Sequence, residues 1–429
     1  MNASIISVGQ ELLLGDTINT NASWIGQFLS QQGIHCTEVV TIGDDSAQII
    51  AALDRLFAQN DVIIMTGGLG PTHDDITKVT LLRYFDDTLV RHQPTFDHVE
   101  SIFQRRGMPF SVSNHAQADV LSRSDVLFNK TGTAPGMWIP HNGRFLAVLP
   151  GVPREMKYLM EHEVLPRLKV NNGDSAAYKA HYFQLTGIGE SNLSDLLIGD
   201  TSTLTSESVT LAYLPHTHGI TMRISSFAKD RKAAVQQAKP LIEHIRQKAG
   251  EFVYSELRND TLQATVVRML TDAGKTVATA ESCSGGQLAH FITNVPGSSA
   301  VFPGGIVAYS NELKTKFLGV SEEVLVEHGA VSKPVALQMA KAAAEITGAD
   351  FGLSSTGIAG PDGGTPEKPV GTVWIGFWSA SKHFALKAQL YPDRLINKER
   401  SAVIALDILR RVLGHIESLP YGLNSKGSS

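Results

Sequence analysis

Cysteine is nearly missing from this sequence: Cys36 and Cys283 are the only two in 429 residues. They lie far apart with no Cys or His at ligand spacing, which excludes a disulfide framework and a finger-type zinc site. The pair fits a reducing compartment, so a cytoplasmic location is expected. No apolar run reaches the ~20 residues that a membrane helix requires. Residues 1–6 contain no basic segment of the kind that begins a secretory leader, so neither a leader nor membrane contact is expected. An excess of positive charge is missing too. The formal net charge is −5, which argues against direct binding of nucleic acid. Three signature loops are also absent. Gly68-Leu69-Gly70 has His73 where a dinucleotide loop needs its third glycine. Ala273-Gly274-Lys275-Thr276 imitates a phosphate loop, but it precedes a strand and has Met269 in place of the first glycine. No Gly-x-Ser-x-Gly elbow occurs.

What is present describes an ordinary globular protein. The length predicts two to three domains of ~150 residues, and a 42% hydrophobic share can fill their cores. Residues 3–8, 34–42 and 61–66 read as strands, separated by helices that begin near Asn21 and Ser46. This β-α-β-α-β order predicts a doubly wound sheet with ligands beyond the carboxyl ends of its strands. At such an end stands Gly67-Gly68-Leu69-Gly70-Pro71-Thr72-His73-Asp74-Asp75-Ile76-Thr77. Its glycines let backbone approach a phosphate closely. Asp74 and Asp75 have the chemistry to hold a divalent cation, and capping of the following helix is an equally weighted reading. Glu11, Asp44 and Asp45 also fall at strand ends. Later strands are expected at 133–138 and 145–149. Pro150-Gly151-Val152-Pro153-Arg154-Glu155-Met156 reads as a strand-to-helix turn, and a polar linker occupies 170–175.

Residues 180–256 read as a smaller α+β unit: a strand, a helix at 190–198, a hairpin at 209–213 and 221–225, and a long helix at 231–249. Pro240 is expected to kink or split that helix. Gly187-Ile188-Gly189-Glu190 has the form of a helix-opening loop that contacts a phosphate backbone; a plain turn is the competing reading. His216 and His218 follow Pro215 without a third ligand, so a metal is not expected there.

From Asp260 onward a third domain begins. Its chemistry concentrates in Thr279-Ala280-Glu281-Ser282-Cys283-Ser284-Gly285-Gly286, where a strand delivers hydroxyls and a thiol to a glycine turn at a helix start. Unpaired backbone N–H groups at that start would favour an anion. Ser282, Cys283 and Ser284 are the candidate nucleophiles, with Tyr309 and Lys314 as activators. A buried lysine loses basicity and can act as a base, and a helix N-terminus favours a thiolate. Helix capping by small hydroxyls competes with both, and the residues alone leave the choice open. A second glycine loop is expected at 355–364, and a final helix at 396–413.

Residues 65–77, 279–286, Tyr309 to Lys314 and Thr356 to Gly364, in this order, closely resemble the CinA family (competence/damage-inducible protein A), and the resemblance covers essentially the whole chain. It implies an α/β protein of three domains. Residues 1–170 would be a doubly wound, molybdopterin-binding-protein-like domain with metal-dependent ADP-ribose pyrophosphatase activity. Residues 171–256 would be a KH-like domain, 257–420 an amidohydrolase domain, and 421–429 a tail. The last domain is similar to nicotinamide mononucleotide (NMN) amidohydrolases of the PncC family, regarded as Ser/Lys enzymes of pyridine nucleotide salvage. By that likeness Ser282 and Lys314 are the catalytic pair and Tyr309 assists them. Ser284, Gly285, Gly286, Thr356, Gly357 and Arg394 contact substrate, and the amides near Ser284 and Gly285 hold the oxyanion. Lys398 or Arg400 stands in for a second arginine. In the N-terminal domain Gly67, Gly68, Gly70, Thr72 and Asp44 form the nucleotide site, and Asp74 and Asp75 bind metal. The resemblance further implies a divalent metal for the pyrophosphatase, no cofactor for the deamidase, and a homodimer. A non-enzymatic accessory that binds a recombination protein is the alternative.

Overall fold

A computed structural model of the chain describes residues 1–70, 75–172 and 177–423. Thr72 and Asp74 lie outside them. Two compact units emerge: Met1–Lys179 with Ser226–Gln236, and Ala180–Ser225 with the chain from Gln237 onward. Most of the middle segment therefore shares a unit with the C-terminal segment.

In the first unit β1 (Asn2–Val8), β2 (His35–Ile42) and β3 (Val62–Thr66) are parallel. A separate ribbon pairs β4 (Leu89–Arg91) with β5 (Asp119–Leu121). The main sheet also takes β6 (Asp125–Leu127), β7 (Gly136–His141) and β8 (Arg144–Leu149). Its order is β2-β1-β3-β8-β7-β6, with β8 parallel to β3 and the last two strands antiparallel. Alternate residues of a strand face opposite sides. Ile6, Val8, Ile63 and Met65 accordingly pack with Leu53, Leu56 and Phe57 of the helix Ser46–Gln59. Ala3, Ile5, Val62 and Ile64 pack with Ile25 and Leu29 of the helix Thr20–Gln31. Burial on both faces is why these strands are apolar throughout.

The middle segment contributes β9 (Ala177–Leu185), β10 (Val209–His216), β11 (Gly219–Ala228) and β12 (Val253–Ser255), in the order β10-β11-β9-β12. The hairpin is longer than the sequence predicted. The helix Arg231–Ala249 supplies Leu241 and Ile245 to the core beneath it. The expected break at Pro240 does not occur. Pro240 and Gln236 are both exposed, so the carbonyl that loses its helical partner meets water instead.

The C-terminal segment builds β13 (Val277–Glu281), β14 (Gly304–Val307), β15 (Phe351–Gly357), β16 (Thr372–Ser379) and β17 (His383–Gln389). The order is β14-β13-β15-β16-β17; β13 is parallel to β14 and β15, and the rest are antiparallel. Val266 and Leu270 of the helix Leu262–Ala273 pack with Ile404 and Leu406 of the helix Arg394–Leu413 on one face. Val335 and Met339 of the helix Lys333–Thr347 cover the other. Two expectations shift. Ser355, Thr356 and Gly357 extend β15 rather than open a loop, and the last helix starts at Arg394, capped by Asp393, whose Oδ1 accepts from Ile396 N at 2.9 Å.

Candidate functional site

β13 ends at Glu281, and residues 282–286 turn into the helix Gln287–Thr293. Ser282 is held between the neighbouring strands. Its amide donates to Ser355 O of β15 at 2.9 Å, and Ala308 N, just past β14, donates to Glu281 O at 2.9 Å. The turn passes through Gly285 and Gly286 at φ 61° and 92°, conformations that a side chain disfavours. The unpaired helix start expected here is not what forms. The Glu281 carboxylate is wholly buried and accepts from Leu288 N at 3.0 Å, Ala289 N at 2.8 Å and the Ser284 hydroxyl at 2.7 Å. The chain's own carboxylate thus takes the donors that a ligand would have used. Ser284 Oγ also lies 2.5 Å from Ser355 Oγ. The Gly285 amide, expected at an oxyanion, donates instead to Ser282 O at 3.1 Å. Among the described residues the Ser284 and Gly286 amides have no protein acceptor.

Lys314 lies on the helix Asn311–Leu318, capped by Ser310, whose hydroxyl accepts from Leu313 N at 3.2 Å. Its side chain is only 2% exposed, yet it makes no ion pair among the described residues. Burial lowers its pKa from the usual lysine value, and the nearby Cys283 sulfur only partly opposes this. Cys283 faces the apolar core. Burial pushes its thiol up to about 11, so almost no thiolate exists at neutral pH. Tyr309 is exposed, and its hydroxyl accepts from Arg394 Nη2; Arg394 Nη1 donates to Gly360 O at 2.8 Å. Thr356 is buried with its hydroxyl on Ala330 O at 2.8 Å. A side chain on Gly357 would meet Val373 Cγ2 at 2.7 Å, so the strand needs glycine there. Lys398 Nζ stands 3.5 Å from where a Gly285 Cβ would be. Arg400 points elsewhere, donating to Thr217 O and Tyr421 Oη, each at 3.0 Å.

The first unit carries a cleft of ≈ 510 Å³ at the carboxyl ends of its parallel strands. Gly67, Gly68, Gly70, Glu11, Asp44, Asp75 and Glu155 line it. A Cβ on Gly68, at φ 64°, would fall 2.2 Å from Thr77 Oγ1, which itself donates to Gly67 O at 3.2 Å. Asp45 caps the helix Ser46–Gln59 by accepting from Gln48 N at 2.9 Å, whereas Asp44 accepts from Gln10 N at 3.0 Å in the cleft. Among the described residues the lining's charged side chains are all carboxylates. Their hard oxygens suit magnesium or manganese. No three of them gather around one point among the described residues, so an ion there would take one or two carboxylates and complete its shell with phosphate oxygens and water. Lys78, beside Thr77, donates to Gln117 O at 3.0 Å and is pulled down to about 8 by burial.

Residues 4–170 match the family described as probable molybdopterin binding domain, 180–255 the damage-inducible protein CinA KH domain, and 259–413 the CinA C-terminal domain. A CinA-like protein of Chloroherpeton thalassium is 40% identical over 422 residues, spanning 96% of this chain and 99% of that protein. The chain belongs to the CinA family. A CinA-like protein of Salinibacter ruber is also 40% identical, over 96% of this chain and 100% of its own length. The structure of a competence/damage inducible protein from Agrobacterium tumefaciens covers 36% of this chain and 97% of that one at 37% identity, with a TM-score of 0.35. The CinA architecture of molybdopterin-binding-like, KH-like and C-terminal domains is therefore that of this chain.

The CinA C-terminal domain brings Ser282, Ser284, Gly285 and Gly286 together in one turn, with Thr356 and Gly357 on the adjoining β15 and Arg394 joined to Tyr309. The N-terminal cleft gathers Gly67, Gly68, Gly70, Asp44 and Asp75. Glu281, Ser355 and Glu155 were not foreseen. Glu281 stands in the motif itself, but its role depends on how the helix folds back over it. Gly187 lies against the C-terminal segment, where an added Cβ would meet Asp407 Oδ2 at 2.5 Å and Arg411 Nη2 at 2.7 Å. That packing leaves the plain-turn reading for the loop at 187–190. His216 and His218 have ring centroids 6.2 Å apart, and no metal-holding group forms around them among the described residues. Lys275 of the imitation phosphate loop is paired with Asp350 at 2.7 Å.

Proposed function

We propose that this chain hydrolyses the carboxamide of NMN to nicotinate mononucleotide and ammonia, with Ser282 as nucleophile and Lys314 as general base. The observation that carries the reading is Lys314, buried and without an anionic partner among the described residues, the setting in which a lysine gives up its proton most readily. Ser282 follows β13 and Lys314 follows the adjacent parallel strand β14, so both are delivered to one end of the sheet. Neutral Lys314 takes the Ser282 proton as Oγ attacks the amide carbon. The proton passes to the departing nitrogen and ammonia leaves. Water then adds to the acyl carbon, releasing the carboxylate and restoring the hydroxyl. Ser284 is wholly buried, and the half-buried Gly286 amide is the donor available to the oxyanion. Arg394 and Lys398 provide positive charge for the substrate phosphate. Incubation of purified protein with NMN should yield both products with or without chelator. Undiminished turnover in Ser282→Ala would falsify the assignment.

For the N-terminal domain, the acidic, glycine-rimmed cleft supports hydrolysis of ADP-ribose to AMP and ribose 5-phosphate. A diphosphate entering a cleft lined by carboxylates needs its charge neutralised; a divalent ion held by Asp75 and one neighbouring carboxylate would supply that. ADP-ribose turnover should vanish with chelator and in Asp74→Asn/Asp75→Asn while deamidation continues. If neither substrate is consumed, the accessory-protein reading replaces both.

A further inference from the structure

The first unit has a second concavity, also ≈ 510 Å³, whose lining includes Arg105, Arg106, Lys130, Arg154 and His98. It shares two wall residues, Thr133 and Glu155, with the acidic cleft. Among the described residues four cations here face a single carboxylate, in a chain whose net charge is −5. None of the four forms an ion pair among the described residues, although other basic residues of this unit, such as Arg55, Arg91 and Arg167, do.

Local helix electrostatics explains only part of this. Arg105 and Arg106 end the helix Gln93–Arg105, where cations are favoured, and Arg105 Nε donates to Ser101 O at 3.2 Å. Arg154 is the opposite case. It occupies the second position of the helix Pro153–Leu159, where the positive dipole end opposes a cation. Lys130 lies in a turn with no helix to serve. Residues that break a local rule without structural gain mark functional positions. The pocket's one carboxylate is tied down. Glu155 Oε2 accepts from Asn129 Nδ2 at 2.5 Å, and the group fills the space a Gly132 side chain would occupy.

We propose that this basic pocket binds the phosphate group of a small phosphorylated ligand. Guanidinium groups match phosphate in bidentate geometry, and lysine adds a point charge. The ligand is either a phosphomonoester held in the basic pocket alone or one that continues past Thr133 into the acidic cleft. The assignment is independent of any hydrolytic activity.

Calorimetric titration of the full chain with ribose 5-phosphate and with AMP, at constant ionic strength, tests it. Both probes should bind saturably, and Lys130→Ala/Arg154→Ala should weaken binding by about tenfold or more, as loss of charge-assisted hydrogen bonds does. These side chains are exposed, so the variants should melt like the parent; Arg106→Gln provides a second, milder change in the same direction. Arg55→Ala, which removes a cation elsewhere on the unit, should leave binding unchanged. Asp75→Asn distinguishes the two ligand types: altered AMP affinity identifies a ligand that spans both cavities, and unaltered affinity one confined to the basic pocket. No saturable binding, or equal binding by the parent and the double variant, overturns the proposal.

Discussion

Ser282 and Cys283 are neighbours with opposite surroundings. Cys283 lies in the apolar core with its thiol pushed up to about 11, whereas Ser282 opens the turn after β13, its amide bonded to Ser355 O. Ser282→Ala should lower deamidase kcat by at least ~10³-fold, as loss of a covalent nucleophile does. Cys283→Ala should keep turnover and cost about 1 kcal/mol by leaving a small cavity; steady-state kinetics and urea unfolding separate the two effects. The pH dependence follows from Lys314. Its pKa is lowered, and the working form is the neutral amine, so kcat should rise as pH climbs through that lowered value and level off before the usual lysine range. Lys314→Arg, which keeps its proton throughout, should abolish activity and the rising limb together. Ser282 and Lys314 could be named as candidates through the family resemblance, since the residues alone left Ser282, Cys283 and Ser284 open. Glu281 and Ser355 could not, because their hydrogen bonds join strands and turns whose neighbours are set only by the folded sheet.

At the scale of elements, the turn after β13 depends on Glu281. Glu281→Ala would leave the Leu288 and Ala289 amides without an acceptor and the Ser284 hydroxyl with Ser355 Oγ alone, and should cost about 3 kcal/mol in urea unfolding. Glu281→Gln retains an acceptor and should cost less. Gly357→Ala should destabilise by about 1–3 kcal/mol, since its methyl would be pressed against Val373. Strand and helix order was legible because period-two and period-3.6 patterns are written into neighbouring residues. The missed features were those decided by exposure. Pro240 breaks nothing because its face of the helix meets water, and Ser355 to Gly357 remain strand because β16 pairs along them.

For the whole molecule, the middle segment is joined to the C-terminal helix Arg394–Leu413 through buried charge. Asp407, wholly buried, pairs with Arg410 at 2.7 Å and Arg411 at 2.9 Å. Arg410 also donates to Glu251 O at 2.9 Å, and Arg411 stacks over Phe252 at 5.1 Å. Asp407→Ala leaves two buried guanidinium groups uncompensated and should cost ~3–5 kcal/mol, read as a fall in melting temperature. The three domains were legible from motif order. Their grouping into two units was not, since charged residues in an amphipathic helix usually face solvent. This seam also affects how the C-terminal domain behaves when isolated. In the intact chain the Asp407 triad is out of reach of dissolved ions, so its contribution should hardly vary with ionic strength. A fragment beginning at residue 257 lacks Glu251, Phe252 and Gly187 and wets the same three charges. Its stability should then decline with added salt, as for any screened surface pair.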